Sequence, residues 1–144
     1  MGEVNAALAG GHILTIGDER YVVKPPKQRC YSEFEAWLEG QARMKLLQAK
    51  KYLPDDVYEQ ETIDLRQRIN SLEFTWGKPL VKSALGSIPG MSEFIAIMIR
   101  QTDPSMTAER VQNLMQKDPD QCSMVFKGAV AEGEKVFPPT DLMR

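Results

Sequence analysis

An enzyme of this size needs a nucleophile, a proton-transfer group or a metal-ligand set at a recognisable spacing, and the candidates here are few. His12 is the single histidine. A Ser-His-Asp or Cys-His device would have to use it, but no serine stands in a nucleophile motif, and Gly86-Ser87 lacks the G-x-S-x-G elbow. Cys30 and Cys122 are far apart and form no CxxC or Cys/His metal spacing. They are expected as free thiols in a reducing compartment, with Cys122 acting as a small hydrophobe. Asp55 and Asp56 are adjacent. On a helix their side chains diverge by about 100°, so they suit a positive helix N-terminus and not a facing carboxylate pair. No glycine-rich phosphate loop is present. The residues therefore point to a non-enzyme with no catalytic residue, cofactor or metal.

The composition agrees with a binding or assembly role. At 144 residues, with 42% hydrophobic and 26% charged side chains, one domain with a real core is expected. The net charge of −2 is mixed along the chain, which makes nucleic acid an unfavoured partner. Arg43, Lys45, Lys50 and Lys51 are expected simply to complement the end of a helix. No segment approaches ~20 apolar residues, so no membrane span is expected. Residues 1–10 lack the basic and apolar regions of a secretory leader, which points to the cytoplasm.

The fold class expected is mainly α. An N-terminal β-hairpin precedes a compact bundle of about five or six helices (α+β if the hairpin is counted). Residues 1–11 should be a flexible arm, 12–134 one domain and 135–144 a tail. Within the domain, residues 12–24 form the hairpin, because two β-rich runs flank a Gly17-Asp18 turn. It is expected to pack on the first helix, with Tyr21 or Val23 touching Phe34 or Trp37, since an isolated hairpin is marginal. Pro25-Pro26 ends its second strand.

The helical body should occupy 32–134. Ser32 and Glu35 have capping-box spacing, which predicts a helix from Ser32 to about Leu53. A second helix follows Pro54, carried by Val57, Tyr58, Ile63, Leu65, Ile69 and Leu72, and a short one runs from about Pro79 to Ser87. Pro89-Gly90 suggests a turn. Residues 91–101 suit a buried helix, with a strand left open by Ile95, Ile97 and Ile99. Thr107 and Asp118 should each cap a helix, the latter with Pro119 at its first position. In the last helix Cys122, Val125, Phe126, Ala129 and Val130 form an i, i+3, i+4 stripe. Met98 and Met115 are expected in the core, Met106 and Met124 at the surface.

The order of these features carries a resemblance. Ile16-Gly17-Asp18, Tyr21-Val22-Val23 and Pro25-Pro26 lead into Glu33-Phe34-Glu35-Ala36-Trp37-Leu38. Later come Asp103-Pro104, Met106-Thr107-Ala108-Glu109-Arg110-Val111, Leu114-Met115 and Asp118-Pro119-Asp120-Gln121. Over about residues 12–132 the chain resembles tail assembly chaperones of long-tailed phages, prophages and gene-transfer agents. The resemblance implies a non-enzymatic protein in the bacterial host cytoplasm that binds the tape-measure protein and helps recruit the tail-tube protein.

Two alternatives belong to other classes. One is a structural virion component, such as a head–tail connector or decoration protein, whose hairpin adds strands to a neighbour's sheet. The other is a DNA-binding regulator using residues 107–132 as a helix-turn-helix, a weaker reading because Asp120 is acidic and Lys127 is the lone early cation on its second helix. A homo-oligomer is a further partner class. The residues proposed to meet a partner are Tyr31, Trp37 and Leu38 on the edge of the first helix, together with Tyr21 on the hairpin; Trp37 as a plain core residue is the competing expectation. Tyr and Trp are the aromatic types enriched at binding hot spots.

Overall fold

A computed structural model of the chain describes residues 12–136. Two strands, β1 (His12–Ile16) and β2 (Glu19–Val23), pair antiparallel with Ile16 opposite Glu19. The two-residue loop has φ +61° at Gly17 and no positive φ at Asp18, the sign pattern of a type II′ turn. Six helices follow among the described residues: α1 (Gln28–Ala49), α2 (Asp55–Asn70), α3 (Pro79–Leu85), α4 (Ile88–Ile99), α5 (Ala108–Lys117) and α6 (Pro119–Val136). The chain is thus mainly α with an N-terminal β-hairpin. The arm expected at residues 1–11 and the extended tail from Phe137 lie outside the described residues.

The core is built around α4. Every residue from Phe94 to Ile99 is buried, because α5, α1, α3 and β2 all pack on this helix. That enclosure explains the nearly continuous apolar run: a helix covered on all sides needs no polar face. Phe94 anchors an aromatic cluster, with ring centroids 5.3 Å from Phe34, 5.0 Å from Trp76 and 6.1 Å from Phe126.

Four local expectations are corrected. First, α1 begins at Gln28, directly after the Pro25-Pro26 segment, and Ser32 lies inside it with its hydroxyl donating to the Gln28 carbonyl at 3.4 Å. Glu35 caps nothing locally; its Oε2 accepts from the Trp76 backbone N–H at 2.6 Å, across 41 residues. The capping-box spacing is therefore coincidental. Second, Pro89-Gly90 is the first turn of α4. Ser87 is the N-cap, its Oγ accepting from Gly90 N–H at 3.1 Å, and proline is tolerated where the N–H would be free anyway. Gly90 is required because a Cβ there would sit 1.9 Å from the Ala84 carbonyl oxygen at the end of α3.

Third, the hairpin packs mainly on α6 through β1 and on α4 through β2. Leu14, Ile16 and Val23 turn inward. Tyr21 meets α5, where Arg110 Nη2 donates to its hydroxyl at 3.0 Å and the guanidinium lies over its ring at 5.8 Å, while Val23 shares one buried cluster with Phe34. The Gln101 side-chain NH2 lies 3.2 and 3.3 Å from the Lys24 and Pro25 carbonyls, which ties the exit of β2 to the end of α4. Fourth, Met106 is 1% exposed, held under the loop after α4, where Arg100 Nε donates to its carbonyl at 2.8 Å. Met124 is exposed and Met98 buried, as expected.

Two caps follow the sequence. Thr107 Oγ1 accepts from Arg110 N–H at 3.2 Å, and Asp118 Oδ1 from Gln121 N–H at 3.1 Å. In the α6 stripe Cys122, Val125 and Ala129 are buried, with Phe126 and Val130 packed at the edge.

Candidate interaction surface

The residues that could do chemistry are dispersed. His12 Nε2 lies 2.7 Å from Glu132 Oε2, joining β1 to α6 across 120 positions. The pair fastens the hairpin to the last helix. Cys122 is buried, and desolvation, reinforced by the Asp118 charge, pushes its thiol up to about 11. Burial also raises Cys30, chiefly by desolvation. Neither is a ready thiolate. Asp55 and Asp56 open α2 at its exposed first turn. Among the described residues no three His, Cys, Asp or Glu side chains converge on a metal position. No helix there is long and apolar enough to cross a membrane.

The unusual feature is an arm. The N-terminal part of α1 buries Cys30, Tyr31 and Phe34 in the core. Beyond Trp37 and Leu38 none of its residues is buried. A short 3-10 turn (Lys50–Tyr52) and Pro54 reverse the chain, and α2 runs back. The extensive packing of α2 is against α1 alone, and none of its sixteen residues is buried. Of the eight exposed large apolar side chains among the described residues, six fall between 44 and 72: Met44, Leu47, Tyr52, Val57, Ile63 and Leu72. Leu47 is 63% and Tyr52 78% exposed. Scattered apolar exposure is ordinary; here it gathers on the segment from the outer half of α1 to the turn after α2.

Two grooves run along opposite sides of the seam made by Leu46 and Leu65. On one side Arg43 and Leu47 of α1 face Tyr58, Thr62, Arg66 and Ile69 of α2. On the other, Ala42, Lys45, Ala49 and Leu53 face Glu61, Asp64 and Arg68. A third groove, which shares Lys45, lies nearer the body between α1 and α3, with Trp37, Leu38 and Gln41 opposite Leu80 and Ala84.

These positions locate the four residues proposed from sequence. Trp37 and Leu38 are half-buried and line the third groove, with Trp37 stacked on Phe34 at 5.5 Å. Tyr21 is half-buried on the hairpin and engaged with Arg110. Tyr31 is 4% exposed, its ring 4.5 Å from Trp76 and 6.0 Å from Phe94, so it belongs to the core and presents no surface to a partner. The structure does not bring Tyr21 together with Trp37 and Leu38. Sequence reasoning missed the arm beyond Leu38. Spacing gave no warning of it: Tyr58, Leu65, Ile69 and Leu72 fall within about 60° of one another around a helix, the pattern of a core-facing stripe. No protein-family model, curated protein or solved structure matches the chain.

Proposed function

We propose that the chain is a non-enzymatic assembly chaperone of the phage-tail kind, which holds a segment of a long helical client, the tape-measure protein, on its α1–α2 arm. One observation carries the proposal: a sixteen-residue helix with no buried residue, on an arm that displays apolar side chains. Two helices side by side leave open grooves, and a third helix completes them by packing its ridges between theirs. A long helical client exposes such ridges before assembly and would otherwise associate through them. The compact body, centred on the enclosed α4, serves as the anchor from which the arm projects.

The test is co-expression with the product of a long, helix-rich neighbouring reading frame. The protein should co-purify with that client and be absent from finished particles by mass spectrometry. Leu47→Asp, at an exposed position, should abolish co-purification while leaving the thermal melt unchanged. Stoichiometric retention in particles would replace the chaperone role with that of a virion component.

A further inference from the structure

The two grooves of the arm differ in charge, and the difference selects a partner. In the groove floored by Leu47, Tyr58 and Ile69, both charged lining residues are arginines, Arg43 and Arg66. Lys50 adds a third cation near the tip, with its Nζ 5.4 Å from the Tyr58 ring centroid. Arg43 Nη2 donates to Glu39 Oε1 at 2.9 Å, one position of a five-donor fork. The Arg66 side chain makes no ion pair or hydrogen bond among the described residues. The opposite groove is balanced, because Glu61 and Asp64 offset Lys45 and Arg68.

Resting on the reading of the arm as the client surface, we infer that the Arg43/Arg66 groove takes an amphipathic helix whose apolar stripe is flanked by carboxylates. The floor, from Tyr58 to Ile69, spans about 16 Å at the helical rise, room for three turns of a partner helix. The cleft is open and only about 250 Å³, which suits side chains laid in from a partner better than an enclosed small molecule. Guanidinium groups at both walls pair bidentately with Glu or Asp and set the orientation of the incoming helix. A second copy is disfavoured as the occupant. Laid against this groove with its dyad along the arm, it would set Arg43 opposite Arg66 of its mate, a like-charge contact on both sides of the axis.

The probe is a fluorescent synthetic helix of about 18 residues, long enough to form a helix on binding, with a leucine stripe flanked by Glu. A control peptide carries Lys in place of every Glu. Anisotropy titrations use the full chain. The Glu peptide should bind, with an affinity that falls as salt rises, and the Lys peptide should not. Arg66→Glu should weaken the Glu peptide about tenfold and admit the Lys peptide. Leu47→Asp should abolish binding, and Lys45→Glu in the opposite groove should leave it unchanged. Circular dichroism confirms that each variant is folded. Equal binding of both peptides would overturn the inference, as would sensitivity to Lys45→Glu but not to Arg66→Glu, or a dimer in sedimentation that Arg66→Glu dissolves. Client capture insensitive to Arg66→Glu would sink this inference and leave the chaperone role standing. Peptide binding without client capture would do the reverse.

Discussion

Replacing Glu35 tests how α1 is joined to the rest of the core. Its Oε2 accepts from the Trp76 backbone N–H at 2.6 Å, and Trp76 is buried in the aromatic cluster. A hydrogen bond to a charged group contributes about 1.5–3 kcal/mol net, and losing the acceptor leaves the donor unpaired. Glu35→Ala should therefore cost about 2 kcal/mol. Glu35→Gln, which keeps a neutral acceptor, should cost roughly half that. Ser32→Ala is the paired control. Ser32 is exposed and inside the helix, bonded only to Gln28 at 3.4 Å, so the change should fall within about 0.5 kcal/mol of zero, helped by alanine's higher helix propensity. Urea denaturation followed by tryptophan fluorescence measures all three. A capping box at Ser32 would give the opposite pattern: a loss of about 1 kcal/mol or more for Ser32→Ala, matched by Glu35→Ala. That result would refute the long-range tie.

Gly90→Ala would place a Cβ 1.9 Å from the Ala84 carbonyl oxygen, a clash between two backbones. Overpacking of about 3 kcal/mol against a helix-propensity gain of about 1 leaves a net loss of roughly 2, readable by the same denaturation; a neutral result would mean that α3 and α4 do not abut as described. Cys30 and Cys122 are both buried with raised thiols, so a thiol reagent should label the native protein slowly and the urea-unfolded chain fully. Fast native labelling would contradict their burial. Glu93 is held above the usual carboxylate range by burial, which Arg100 opposes at 3.3 Å. The folded state thus binds its proton more tightly than the unfolded one. Its contribution to stability is full below the ordinary Glu value and is lost as the pH rises through the folded value. Glu93→Gln should remove that fall from the pH–stability curve, and an unchanged curve would count against the shift.

Much of the fold was legible because its signals are local. The Gly17-Asp18 turn needs only its own dihedrals, and the Thr107 and Asp118 caps need only the next three residues. The Met91–Gln101 run declared its burial through composition alone. What was illegible depends on contacts distant in the chain. Glu35 answers Trp76, 41 positions on. Pro89-Gly90 looks like a turn unless one knows that the Ala84 carbonyl sits against it. The docking of the hairpin on α4 and α6 is set by tertiary packing that no periodicity encodes. At the candidate surface, Trp37 and Leu38 were singled out because they are large and adjacent, and they line a groove. The arm beyond them looked like one more core helix, since amphipathic spacing cannot say whether a second layer exists to cover it.

The central claim is that the α1–α2 arm is where a helical partner docks. Amide hydrogen exchange, measured on the protein alone and on the complex purified after co-expression with its client, tests it most directly. The claim predicts fast exchange over residues 50–72 in the free protein, because α2 rests on α1 without buried residues. In the complex that segment and the facing part of α1 should slow strongly, with the α4 core unchanged. Protection confined to the hairpin or to α5 and α6, with residues 50–72 exchanging as fast in the complex as alone, would contradict it.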